Sequence, residues 1–68
     1  MRRFEMVEGK ASKFWEVEVQ DNLVVVHFGR IGTKGQSRTK KHISNLSARY
    51  HADERIKEKL AEGYLEIK

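Results

Sequence analysis

The chain has 68 residues, 38% hydrophobic and 35% charged, with 14 Lys and Arg against 10 Asp and Glu for a net charge of +4. A chain of this size makes one domain, residues 1–68, and buries only about 60% of the surface its unfolded form exposes, so its stability margin is small. The absence of Cys excludes a disulfide framework and a thiolate metal centre, and the longest apolar run, Leu23 to Val26, is far too short to span a membrane. Met1-Arg2-Arg3-Phe4-Glu5 lacks the apolar stretch of a secretory signal, so a cytoplasmic location is expected.

Arg3 to Val7 alternates apolar and polar, with Phe4 and Met6 on one face, and Glu8-Gly9-Lys10 supplies turn chemistry after it. A second strand is expected over Lys13 to Gln20. Trp15, Val17 and Val19 share its buried face, and Phe14, Glu16 and Glu18 share the exposed one. Asp21-Asn22 is a tight turn into a third strand, Leu23 to Arg30, whose apolar residues on both faces predict a central position. Gly32-Thr33-Lys34-Gly35 is a turn, and Gln36 to Ile43 returns as a fourth strand, completing an antiparallel meander.

Ser44 is a helix N-cap, and Asn45 to Glu62 is rich in Ala, Leu, Glu, Lys and Arg, the strong helix formers. Ala48, Ala52, Ile56 and Leu60 recur at every fourth position and predict an apolar stripe that packs on the sheet. Gly63 stands where a left-handed C-cap is expected, and Tyr64-Leu65-Glu66-Ile67 alternates again as a short last strand. The class is α+β: an antiparallel sheet of four to five strands with one long helix on one face. The helix charges read as a solvated surface, with Asp53 and Lys57 a favourable pair and Glu54 and Glu58 an opposed one.

Charge is distributed unevenly. From Asn22 to Ala52 there is no Asp or Glu, while Arg30, Lys34, Arg38, Lys40, Lys41 and Arg49 give +6, so a one-sided positive surface is expected. Catalysis finds no support. His27, His42 and His51 have neither metal-ligand spacing nor a partnered nucleophile, which argues for no enzyme, no metal and no cofactor. Gly29, Gly32 and Gly35 match no phosphate-loop motif and precede no helix, so they are read as turn and bulge positions with φ > 0.

Phe28 and Arg30 are two apart on a strand and share a face, offering a ring for stacking beside a guanidinium for phosphate. The competing reading continues the Val24 and Val26 face into the core at Phe28. Lys34, Arg38, Lys40 and Lys41 suit phosphate tracking, with Arg38 and Lys40 on one face of the fourth strand and Lys41 on the other; they also suit a solvated edge strand guarded by Lys. Trp15, in line with Val17 and Val19, is assigned to the core.

Three stretches, Lys13-Phe14-Trp15-Glu16, Phe28-Gly29-Arg30 with the glycine turn after it, and Glu58-Lys59-Leu60-Ala61-Glu62-Gly63-Tyr64, occur in the order found in WGR domains. The chain resembles that family, named for a Trp-Gly-Arg triplet and met beside the catalytic domains of poly(ADP-ribose) polymerases and in small bacterial proteins. It departs from the pattern in carrying Phe28 at the signature Trp. The resemblance implies that Phe28 packs against the terminal nucleotide of a DNA break and that Arg30 helps to link DNA to neighbouring domains. With no catalytic domain in these 68 residues, no enzyme is expected in cis for Arg30 to activate.

The expectation is a non-enzymatic module binding nucleic acid, DNA backbone or DNA ends without sequence specificity, through Phe28, Gly29, Arg30, Lys34, Arg38, Lys40 and Lys41. The alternative is a protein-interaction module that docks an acidic partner on the same face. No membrane contact is expected, and composition leaves the oligomeric state open.

Overall fold

The computed structural model describes Met1 to Lys68 as five strands and one helix: β1 (Arg2–Glu8), β2 (Ala11–Gln20), β3 (Leu23–Arg30), β4 (Gln36–Lys41), α1 (Asn45–Glu62) and β5 (Leu65–Ile67). The sheet order is β4-β3-β2-β1-β5, antiparallel throughout, so the expected meander is present and β5 closes the far edge against β1. β3 is an interior strand and β4 an open edge, exposed along its whole length. The fourth strand stops at Lys41, short of the expected Ile43, which is exposed. No helix is long and apolar enough to cross a membrane.

Register follows from the period-2 apolar pattern. Phe4 faces Trp15, Trp15 faces Phe28, Val17 faces Val26 and Val19 faces Val24, so these side chains share one face of the sheet. A slip of one residue would turn that whole set to solvent, and burial therefore fixes the pairing. The helix closes this face with Ala48, Ala52 and Ile56, forming a core with Phe4, Trp15, Val17, Val24 and Tyr64. Its ends are defined as expected: the Ser44 hydroxyl accepts from the Ser47 amide at 3.1 Å, and Gly63 takes φ 109° at the C-cap.

Leu60 departs from its expected place. Four residues on an α-helix turn through about 400°, so a strict four-residue repeat drifts by about 40° per step and has left the sheet by the third step. Leu60 is accordingly 48% exposed, and the side chain that continues the inward face is Lys59, only 16% exposed. The helix ion pairs also differ from expectation. They are Arg55 with Glu58 at 3.0 Å, Lys57 with Glu54 at 3.4 Å and Lys59 with Glu62 at 3.6 Å, each three residues apart.

The second face of the sheet is not wholly solvated. Phe14, expected to be exposed there, is buried because the glycine turn folds back over it, with His27 packed edge-on at 5.0 Å and the Arg3 guanidinium 4.6 Å from the ring centroid. A Cβ on Gly35 (φ 69°) would lie 2.7 Å from Phe14 Cζ and collide with the Phe28 carbonyl oxygen. Gly29 serves a different need from the one expected. It has no positive φ, but a Cβ there would meet Gly35 Cα at 2.8 Å, so glycine at position 29 admits the returning turn.

Candidate functional site

α1 sets His51, Arg55 and Lys59 opposite the outer half of the same sheet face, where Arg38 and Lys40 project from β4 and Arg30 from the end of β3. Between these walls runs a groove. Its larger hollow, about 500 Å³, has Trp15, Phe28 and Tyr64 as aromatic lining and Lys13, Arg30, Arg38, Arg55 and Lys59 as cations. A smaller hollow, about 350 Å³, shares Val26, Arg38 and Arg55 with the first and adds Lys40 and His51. No carboxylate lines either one.

Arg55 and Lys59 are already paired with Glu58 and Glu62 outside the lining, whereas Lys13, Arg30 and Arg38 have no carboxylate within ion-pair distance. Lys13 and Arg30 stand directly opposite each other across β2 and β3, an arrangement that is repulsive in an antiparallel pair. The Lys59 ammonium is held 5.1 Å from the Tyr64 ring and 5.8 Å from Trp15, so its stem covers the core while its charge reaches the groove. Burial raises the Tyr64 hydroxyl above its ordinary pKa.

Phe28 stands at the boundary between core and groove. The ring is half-buried, packs against the core cluster and also lines the larger hollow, with the Arg38 guanidinium 5.8 Å from its centroid. Phe28, Gly29, Arg30 and Arg38 converge on that hollow, and Lys40 lies in the adjoining one. Two other sequence candidates do not join them. Lys34 sits in the glycine turn, where its carbonyl oxygen accepts from His27 Nε2, and Lys41 pairs with Leu23 on the opposite face. Arg49 lies elsewhere again, in a hollow shared with Asp53 and Glu18, so the +6 block does not form a single face.

Lys13, Arg55 and Lys59 are groove residues that the linear pattern did not single out. The helical angle would have found two of them. At 100° per residue, positions 55 and 59 fall within about 20° of Ala48 and so face the sheet.

On the other face, His27 Nδ1 lies 2.7 Å from Glu16 Oε1, and Arg3 donates to Glu16 at 3.2 Å and to Glu5 at 2.7 Å. The Glu16 hydrogen bond, then the Lys34 carbonyl, raise the His27 pKa, and the same bond lowers that of Glu16. This network ties the glycine turn to the sheet. No group of three or more His, Asp or Glu is arranged to hold a metal ion.

An open five-stranded sheet, a single helix across it, and a Phe-Gly-Arg triplet ending the third strand at a cationic groove define a small α+β domain. The chain belongs to the WGR domain family, which it matches over residues 1–68. It is 38% identical over 66 residues to protein YehF of Escherichia coli (strain K12), a match that covers 97% of this chain and 24% of that one. A protein of Bacteroides fragilis with a known crystal structure superposes with a TM-score of 0.96 at 36% identity, over 98% of this chain and 19% of that one. The chain thus spans about a quarter or less of the length of these relatives.

Proposed function

We propose that this domain is a non-enzymatic binder of DNA backbone or DNA ends, taking phosphates into the groove between α1 and the β3–β4 half of the sheet. WGR is a nucleic-acid-binding family, which supports the class of ligand. The observation that carries the reading is the pair Lys13 and Arg30, like charges opposed at the mouth of a hollow with no carboxylate in its lining. Phosphate oxygens relieve that repulsion. Phe28 beside them offers a ring edge to a terminal or unpaired base, a contact tolerant of sequence. The contacts invoked, to phosphates and to a ring that stacks on any base, carry no sequence information, so binding is independent of sequence.

The test is an anisotropy titration with blunt duplex, nicked duplex and single-stranded DNA at several salt concentrations. If Lys13, Arg30, Arg38, Arg55 and Lys59 each neutralise one phosphate, log K against log salt falls with a slope of about −4.5, from about −0.9 per contact on duplex. A slope near zero, or no retention at low salt, removes the nucleic-acid reading and leaves an acidic partner protein as occupant of these cations.

A further inference from the structure

The smaller hollow has features that a passive stretch of basic surface does not need. We propose that it is a second phosphate subsite, in which Arg38, Lys40 and Arg55 fix an anion and His51 supplies a further donor by taking up a proton as the anion enters. The inference rests on the groove reading above and extends it to a named contact and its chemistry.

His51 is half-buried on α1 and lines the hollow from the helix side, facing Arg38 and Lys40 from β4. The His42 ring lies 4.7 Å from it, with a buried Nε2 that has no hydrogen-bond partner. Arg55 stands one helical turn further on, paired at 3.0 Å with Glu58, the carboxylate whose field reaches the imidazole and which an entering anion competes with for the guanidinium. Burial first, then the charges of His42, Lys40 and Arg55, hold the His51 pKa below its ordinary value. An empty subsite therefore keeps His51 neutral near pH 7. A phosphate diester or sulfate carries a negative charge that is constant over this range, and in the hollow it reverses the local field. The imidazolium becomes favourable, one proton is drawn from solvent, and a ring N–H donates to an anion oxygen. Because the two hollows share Arg38 and Arg55, the anions they hold are neighbours, as successive phosphates of one strand are.

The experiment follows the three histidines of the full chain by NMR through a pH titration, without and with inorganic sulfate. Saturation with sulfate is expected to raise the His51 pKa by about one unit, equivalent to about tenfold tighter binding to the protonated form, while His27, on the far face, does not move. His51→Gln keeps a hydrogen-bonding group and a good helix former, and should flatten the pH dependence of oligonucleotide affinity. A His51 pKa unmoved by sulfate, or an oligonucleotide affinity whose pH dependence survives His51→Gln, overturns the subsite. A His51 shift with sulfate in a protein that binds no oligonucleotide sustains the anion subsite and removes the nucleic-acid reading instead.

Discussion

The Arg38 guanidinium lies 5.8 Å from the Phe28 ring centroid, reaching from β4 to a ring on its neighbour β3. Arg38 pairs in register with Val26, and Phe28 with Gln36, so the contact is diagonal across the strand pair and depends on the sheet's twist. It joins the aromatic residue at the family's signature position to the central cation of the groove. A base that stacks on Phe28 therefore meets a guanidinium already set beside it.

Phe28→Ala should weaken binding to DNA ends and single strands by about 1–3 kcal/mol, the value of one stacked aromatic, with a smaller loss for continuous duplex. Since the ring is only half-buried, its loss should cost less stability than the about 3–5 kcal/mol of a fully buried Phe. Phe28→Trp should bind ends more tightly with the fold intact. A parallel melting curve separates the two effects, and collapse of the transition in both variants would place the ring wholly in the core.

Arg38→Glu and Lys41→Glu reverse one charge each on the same strand but on opposite faces. Arg38→Glu should reduce DNA affinity at least tenfold and make the salt slope shallower, while Lys41→Glu should change affinity by no more than the loss of long-range attraction, about twofold. Equal losses from the two would mean that the whole basic edge, and not the groove, meets the phosphates.

Trp15→Ala removes a side chain that is 2% exposed and lies 5.6 Å from the Phe4 ring, and is expected to destabilise by about 3–5 kcal/mol. That is comparable with the whole margin of a domain this small. Circular dichroism should show an unfolded chain at 25 °C, and a cooperative melt near that of the unmodified protein would contradict the core assignment.

Gly32→Ala and Gly35→Ala separate backbone strain from steric exclusion in one turn. Gly32 has φ 94° with open space around a Cβ, so Ala should cost only the conformational strain, about 1–2 kcal/mol. Gly35 adds a collision with the Phe28 carbonyl and with Phe14, and Ala there should destabilise more and disturb the end of β3 where Arg30 sits. Chemical denaturation of both variants orders them, and similar midpoints would show that the turn yields freely.

His27 makes stability depend on pH with a definite sign. Its folded pKa is raised from 6.5, chiefly by the Glu16 hydrogen bond, so its contribution is fully present below pH 6.5 and is lost as pH rises through the raised value. His51, lowered by burial, acts with the opposite sign and loses stability as pH falls below 6.5. The difference between unmodified protein and His27→Gln isolates the first effect: the melting temperature gap should be largest near pH 6 and close above the raised His27 pKa. Glu16→Gln should bring the His27 pKa down, read from the ring resonances, and no movement would show that the Lys34 carbonyl holds the proton alone.

The five strands, the helix, the Trp15 face, the Ser44 and Gly63 caps and the meander are legible from periodicity, because each depends on spacing along a strand or helix that burial then enforces. The family, too, is legible in the three motif stretches. Three-dimensional packing decided the groove. Lys13, Arg55 and Lys59 are far from Arg38 in the chain and meet it only because strand pairing sets β2 beside β3 and α1 packs across the sheet with Lys59, not Leu60, on its inward side. Phe14 shows the same dependence, since the strand pattern assigns it to solvent and only the return of Gly35 over the sheet buries it. A linear pattern records which way a side chain leaves its own backbone; what it then meets is set by segments distant in sequence, and for a binding groove that meeting is the site.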